Sequence, residues 1–233
     1  MLSPPDYYYR QTRPEVAALV PASARRIVDV GCGAGGLGHA LKQARPGVEV
    51  RGIEPVAAQA EIARQVLDDV VNGFAEDPLP ASWPAPDCVI FADVLEHMVD
   101  PQRVLRRWRE RMAPGGTIVV SLPNIAHRSI VLGLLKHRWD YAPEGILDAT
   151  HLRFFTRETG IEMFESCGFR VHTVRRILDI GSSWLTAKLR RLFEREQARE
   201  RTFEGPLGTV ADLCTFQIMF VATADGELPE GAT

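Results

Sequence analysis

Short apolar runs recur along this chain, separated by stretches in which apolar residues fall three and four apart. The runs are "RRIVDV", "VEVRGIE", "VVNGF", "DCVIFA", "TIVVSLPN", "RVHTVRRI" and "LCTFQIMFVATA". Each has strand length. The intervening "LGHALKQARP", "VAAQAEIARQVLDDV", "PQRVLRRWRERM" and "RETGIEMFES" carry helical spacing. A further short helix is expected over 14–21, ended by Pro21. Pro101 sits where a first helical residue loses nothing by lacking an N–H. Pro114, Gly115 and Gly116 stop that helix, and Gly168 closes the last one. Helices alternate with strands that are apolar on both faces. That pattern predicts an α/β fold with a doubly wound, mainly parallel sheet.

Two segments break this rhythm: 125–150, after the fifth strand, and 181–208, between the last two strands. In open α/β sheets ligands lie beyond the carboxyl ends of the strands. The first insertion leaves from such an end and is expected to cover a substrate. The 233 residues suit a single domain over 1–233. Hydrophobic residues make up 45% and charged residues 24%, an ordinary globular composition. A net charge of −3 gives no pull toward nucleic acid or anionic membrane, so no nucleic-acid partner is expected. No run approaches a membrane span, and "MLSPPDYYYRQTRPEV" has no charged-then-apolar leader. Cys32, Cys88, Cys167 and Cys214 lie far apart, as expected of reduced thiols in a cytoplasmic protein.

The stretch "VDVGCGAGGLG" at 28–38 holds five glycines in eleven residues. Gly31, Gly33 and Gly36 fit the G-x-G-x-x-G of dinucleotide sites. Gly31, Gly33 and Gly35 fit a G-x-G-x-G loop for S-adenosylmethionine (SAM). Glu54, ending the second strand, can hold a ribose diol in either case. Asp29 favours SAM, because a carboxylate balances an ammonium group and repels a pyrophosphate. The final two strands also suit an antiparallel hairpin at the sheet edge.

Together, "VDVGCGAGGLG", "GIEP", "DCVIFADVLEHMVDP", "MAPGGTIVVSLPN" and "THLRFFTRETGIEMFESCGF" resemble a class I, Rossmann-like SAM-dependent methyltransferase over roughly residues 25 to 178. The resemblance implies seven strands in the order 3-2-1-4-5-7-6, with strand 7 antiparallel. It implies that the loop of Asp29, Gly31, Cys32, Gly33 and Gly35 holds the methionine end of SAM. Glu54 and Pro55 then meet the ribose, Phe74 and Ala75 the adenine, and Ala92 and Asp93 the methionine side. Phe74 stands where an Asp is common, so it is expected to pack on the adenine, with Glu76 as an alternative hydrogen-bond partner.

SAM brings its own electrophile, and an alcohol acceptor needs a base or a metal. Glu96, His97 and His151 are the candidates. "LEH" with a later His before an aromatic-Thr element also resembles ubiquinone-pathway O-methyltransferases and 3′-end methyltransferases of small RNAs. In those groups a Glu-His pair and a downstream His can bind a divalent ion, with Asp93 a further potential ligand here. Acid–base use of these residues is preferred to a metal. His127 is expected to line the same cleft and is a secondary base candidate. His39, His137 and His172 are read as structural or exposed.

The first insertion mixes Trp139, Tyr141, Phe154 and Phe155 with Arg128, Lys136, Arg138 and Arg153. Such groups suit rings and anions. Residues 184–201 form a basic amphipathic stretch with three readings: packing over the site, a homodimer contact, or peripheral membrane contact. "YYYRQTRPEVAALVP" and "WDYAPEGILDATHLRFFT" resemble bacterial methyltransferases of cell-surface polysaccharide and O-antigen pathways. That resemblance implies O-methylation of a sugar hydroxyl on a glycan or sugar nucleotide. The alternatives are a phenolic quinone precursor or natural product as acceptor, a non-catalytic SAM-binding regulator or assembly partner, and a nicotinamide dehydrogenase.

Overall fold

The computed structural model describes residues 11–179 and 206–225. The amphipathic stretch 184–201 lies outside them. Among the described residues seven strands form one sheet: β1 (Arg26–Val30), β2 (Glu49–Glu54), β3 (Asp69–Asn72), β4 (Cys88–Ala92), β5 (Thr117–Pro123), β6 (Arg170–Leu178) and β7 (Thr215–Thr223). Their order is β3-β2-β1-β4-β5-β7-β6. The β1, β2, β3, β4 and β5 pairings are parallel, and β7 runs antiparallel to both β5 and β6.

The helices are α1 (Pro14–Ala17), α2 (Gly36–Ala44), α3 (Ala57–Ala63), α4 (Pro101–Arg111), α5 (Arg128–Leu135), α6 (Arg157–Ser166) and α7 (Pro206–Leu213). Period-two alternation along the strands sorts the core into two layers. Val28, Val30, Val89, Phe91, Ile118, Val120 and Phe220 pack with Leu105 and Trp108 of α4 and Phe164 of α6. Ile27, Val50, Cys88, Ile90, Val119 and Met219 face the other way, toward Val16 of α1, Leu37 and Leu41 of α2, and Ala60 and Ala63 of α3.

Local chemistry sets the helix starts. Asp100 caps α4 by accepting from Arg103 N–H at 2.9 Å, with Pro101 in the first turn. Thr156 and Thr159 form a reciprocal capping box at α6. Helix α3 is shorter than its alanine-rich pattern predicts. It stops at Ala63, and the Asp68 side chain accepts from Val50 N–H at 2.7 Å, drawing the chain into the sheet. Helix α7 falls where the sequence suggests the end of an insertion and the start of the last strand. The strand begins at Thr215 instead of Leu213. The chain runs from β1 outward to β2 and β3, then returns to β4 on the other side of β1. The switch point therefore lies at the carboxyl ends of β1 and β4. No helix among the described residues is long and apolar enough to cross a membrane.

Candidate active site

A cleft of about 690 Å³ opens at this switch point. Asp29, Gly31, Cys32, Gly33, Glu54, Pro55, Phe74, Ala75, Ala92, Asp93 and His97 all line it. Gly35 does not. It caps α2 with φ 81° and turns the chain away from the cleft wall. Gly31 and Gly33 also have positive φ, at 71° and 54°. A side chain on Gly31 would come within 2.7 Å of Val94 Cγ2. The loop thus needs glycine both for its backbone conformation and for its close approach to the turn after β4.

Glu54 reaches across to the loop. Its Oε2 accepts from Gly33 N–H at 2.8 Å, and Oε1 accepts from Val56 N–H at 2.9 Å. Burial raises its pKa above the ordinary carboxylate range despite these two donors. Asp29 is 2% exposed, and its Oδ2 has no partner among the described residues. Burial pushes its pKa up to about 7; the Arg13 charge opposes this and the Glu54 carboxylate adds to it. Burial, with Asp29 and Glu54 nearby, likewise pushes the Cys32 thiol up. Phe74 is 62% exposed and lines the cleft.

Arg13 also lines the cleft, and no local pattern in the sequence points to it. Its guanidinium pairs with Asp93 Oδ2 at 2.5 Å and Glu15 at 2.6 Å, and donates to Ser121 Oγ at 3.2 Å. Burial works against the Arg13 charge, but the Asp93 and Glu15 carboxylates outweigh it and raise its pKa above the ordinary value. Asp93 also accepts from Ser121 Oγ at 2.9 Å and from Gln217 Nε2. Arg13 and Asp93 both adopt left-handed backbone conformations, φ 44° and 57°. This network corrects the expectation that Asp93 joins Glu96 as a metal ligand: its oxygens are turned to Arg13, Ser121 and Gln217.

Past β4, residues Leu95–His97 form one 3-10 turn. It turns His97 into the cleft wall and buries Glu96, which is 1% exposed. Neither carboxylate oxygen of Glu96 has a hydrogen-bond partner among the described residues. Burial, reinforced by Asp93, raises its pKa. His151 closes the insertion and is 8% exposed. Its ring meets that of His97 edge to face, with centroids 4.7 Å apart. Burial, then His151, lowers the His97 pKa, and Asp148 opposes both. One ligand atom each from Glu96, His97 and His151 lies within 4.8 Å of the other two. Two imidazoles and a carboxylate with unmet polar atoms suit a divalent cation, so these residues fit an ion as well as a base.

The end of the 125–150 insertion forms part of the cleft wall through Pro143, Glu144, Asp148 and Thr150. Its helix α5 buries Ile130, while Leu132, Leu134 and Leu135 are exposed. Trp139 packs edge to face with Phe154 and Tyr141. His127 does not line the cleft, contrary to expectation. It caps α5, its Nδ1 lies 2.8 Å from Ser129 Oγ, and its ring meets Phe216. His39, His137 and His172 are exposed.

A glycine loop after β1, an acid ending β2, and a reversed β7 beside β5 define a class I SAM-dependent methyltransferase. The chain belongs to the methyltransferase-domain family, whose profile matches residues 6–174. It is 32% identical to a ubiquinone biosynthesis O-methyltransferase of Xylella fastidiosa, covering 66% of this chain and 68% of that protein. A protein of the same name from Cereibacter sphaeroides is 29% identical over 70% of this chain and 69% of its own length. A solved structure from Thermotoga maritima, described as a possible histamine N-methyltransferase, shares the fold with TM-score 0.61 and 20% identity. That match covers 94% of this chain and 89% of the other. The cofactor is SAM and the protein is an enzyme of methyl transfer.

Proposed function

We propose that this enzyme methylates a ring hydroxyl, and that Glu96, His97 and His151 activate that hydroxyl. The observation that carries the reading is the convergence of these three side chains within 4.8 Å at the carboxyl end of β4. The loop of Asp29, Gly31 and Gly33 receives the methionine end of SAM, with the Asp29 carboxylate balancing the ammonium. Glu54 and Pro55 receive the ribose, and Phe74 with Ala75 the adenine. SAM held by these residues would supply an electrophilic methyl group, and transfer would form a C–O bond to the acceptor as the C–S bond breaks, sulfur keeping the electron pair. The hydroxyl proton passes to an imidazole Nε2, which serves as general base. A divalent ion held by Glu96, His97 and His151 would supply Lewis acidity, lowering the pKa of the hydroxyl.

A sugar hydroxyl is the proposed acceptor. The clustered Trp139, Tyr141 and Phe154 offer aromatic faces for a ring beside His151, whose own ring packs on Phe154. A second reading is a phenolic ring, favoured by the two relatives named for ubiquinone biosynthesis. Labelled SAM offered with sugar nucleotides, glycans and catechols, with divalent ions and with chelator, tests both. Label on a hydroxyl oxygen supports the proposal. Label only on nitrogen or carbon, or none on any acceptor despite S-adenosylhomocysteine binding, overturns it.

A further inference from the structure

One short loop in the wall of the cleft controls both histidines. Thr150 Oγ1 lies 3.1 Å from His97 Nδ1 and 2.6 Å from Asp148 Oδ1. A hydroxyl has one proton, and a carboxylate can only accept. The Thr150 proton therefore goes to Asp148, which leaves an oxygen lone pair facing His97. That lone pair needs a donor, so His97 carries its proton on Nδ1. Asp148 Oδ1 also accepts from Thr150 N–H at 2.8 Å, which holds that oxygen beside the Thr150 hydroxyl. The same logic holds at the other ring. His151 Nδ1 lies 3.0 Å from the Ile146 carbonyl, an obligatory acceptor, so it too carries the proton on Nδ1. Two backbone bonds then tie this loop to the turn after β4: Leu152 N–H at 2.8 Å and Arg153 N–H at 3.0 Å both donate to the Glu96 carbonyl.

We infer that Asp148 and Thr150 are positioning residues that hold His97 in its Nδ1–H tautomer, presenting the Nε2 lone pair beside His151 and Glu96. The inference rests on the reading of His97 as base or ligand. Either role needs that lone pair: a protonated Nε2 can neither take a proton nor bind an ion. Asp148 acts at a distance of two hydrogen bonds, as a carboxylate behind a hydroxyl behind an imidazole. Replacing it with Ala removes the acceptor that holds the Thr150 proton. The hydroxyl proton is then released toward His97 Nδ1, which drives the ring to the opposite tautomer, as loss of an orienting carboxylate does behind other imidazoles.

The test is nitrogen NMR of ring-labelled histidine in the full chain at about pH 8, where an ordinary imidazole is neutral. Wild type, Thr150→Val, Thr150→Ser and Asp148→Ala are compared, each also titrated with Mn²⁺. In wild type and Thr150→Ser, His97 shows a protonated Nδ1 and a bare Nε2. Thr150→Val and Asp148→Ala shift toward the Nε2–H form, and their Mn²⁺ affinity falls about 10-fold or more while Thr150→Ser retains it. An unchanged His97 pattern in both Thr150→Val and Asp148→Ala overturns the inference, as does an Nε2–H pattern in wild type. If wild type takes up no Mn²⁺, the ion reading alone fails, and the tautomer pattern still decides the roles of Asp148 and Thr150.

Discussion

His97 and His151 meet edge to face, ring centroids 4.7 Å apart and planes at 73°, one on the turn after β4 and the other at the end of the insertion after β5. The pair joins the body of the sheet to the segment over the cleft. Glu96 sits buried behind it with both carboxylate oxygens unmet. A buried carboxylate in that condition calls for a proton or a cation in the site.

The glycine loop is intolerant of side chains. Gly35 has φ 81°, and an added Cβ would lie 2.8 Å from Val66 Cγ2 and 3.3 Å from the Ala63 backbone. Gly35→Ala should lose about 1–3 kcal/mol of stability, from left-handed strain and overpacking together. Urea unfolding checks the loss. A midpoint equal to wild type would mean the loop has room the structure denies.

Asp29 makes the cofactor-free enzyme sensitive to pH. Its carboxyl rises from an ordinary 3.8 to about 7 on folding, because of burial. The folded chain then holds a proton that the unfolded chain has released, so stability falls as pH rises from about 4 and levels off above about 7. Each tenfold change in proton affinity is worth about 1.4 kcal/mol, so keeping this buried carboxylate charged costs on the order of 4 kcal/mol at the upper end of that range. Asp29→Asn should flatten this dependence and stabilise the cofactor-free protein above pH 7. It should also weaken S-adenosylhomocysteine binding, because the ammonium loses its counter-charge. Melting curves and calorimetry across pH 5–9 test both effects; tighter binding by the Asn variant would refute the assigned role.

Arg13 and Asp93 should be energetically coupled. Their side chains are 15% and 18% exposed, a pair withdrawn from much of the solvent. Arg13→Met strands the Asp93 carboxylate, and Asp93→Asn strands the guanidinium. A double-mutant cycle should return a coupling of about 1–3 kcal/mol in stability. Because both residues line the cleft, each single variant should also weaken SAM binding. A coupling near zero would show that Ser121, Gln217 and Glu15 satisfy each partner alone.

The sheet and the glycine loop at its carboxyl end were legible because their signals are local. Strands such as Cys88–Ala92 are short apolar runs, and the loop from Asp29 to Gly35 announces its backbone by glycine spacing. His97 and His151 stood out by residue type, and the family likeness paired them. Other features have no local signal. The Arg13–Asp93 pair joins residues far apart, and nothing near "TRPE" specifies the partner. Helix α3 ends early because Asp68 is claimed by Val50 of a neighbouring strand, a tertiary contact that overrides helical spacing. His127 looked like a cleft residue by its position after β5, yet it caps α5 and turns its ring to Phe216. Asp148 and Thr150 stood beside His151 in "DATH", a spacing meaningful only once the loop brings His97 alongside.

The central claim is that Glu96, His97 and His151 activate an acceptor hydroxyl. Its most direct test is methyl transfer from labelled SAM to a responding sugar or phenol by wild type, Glu96→Gln and His151→Ala, with S-adenosylhomocysteine affinity measured in parallel. Removing a general base costs about 100- to 10,000-fold in rate. The predicted result is a loss of that order in both variants with cofactor affinity unchanged, since neither residue lines the cleft proposed to hold SAM. Wild-type turnover in both variants would contradict the claim.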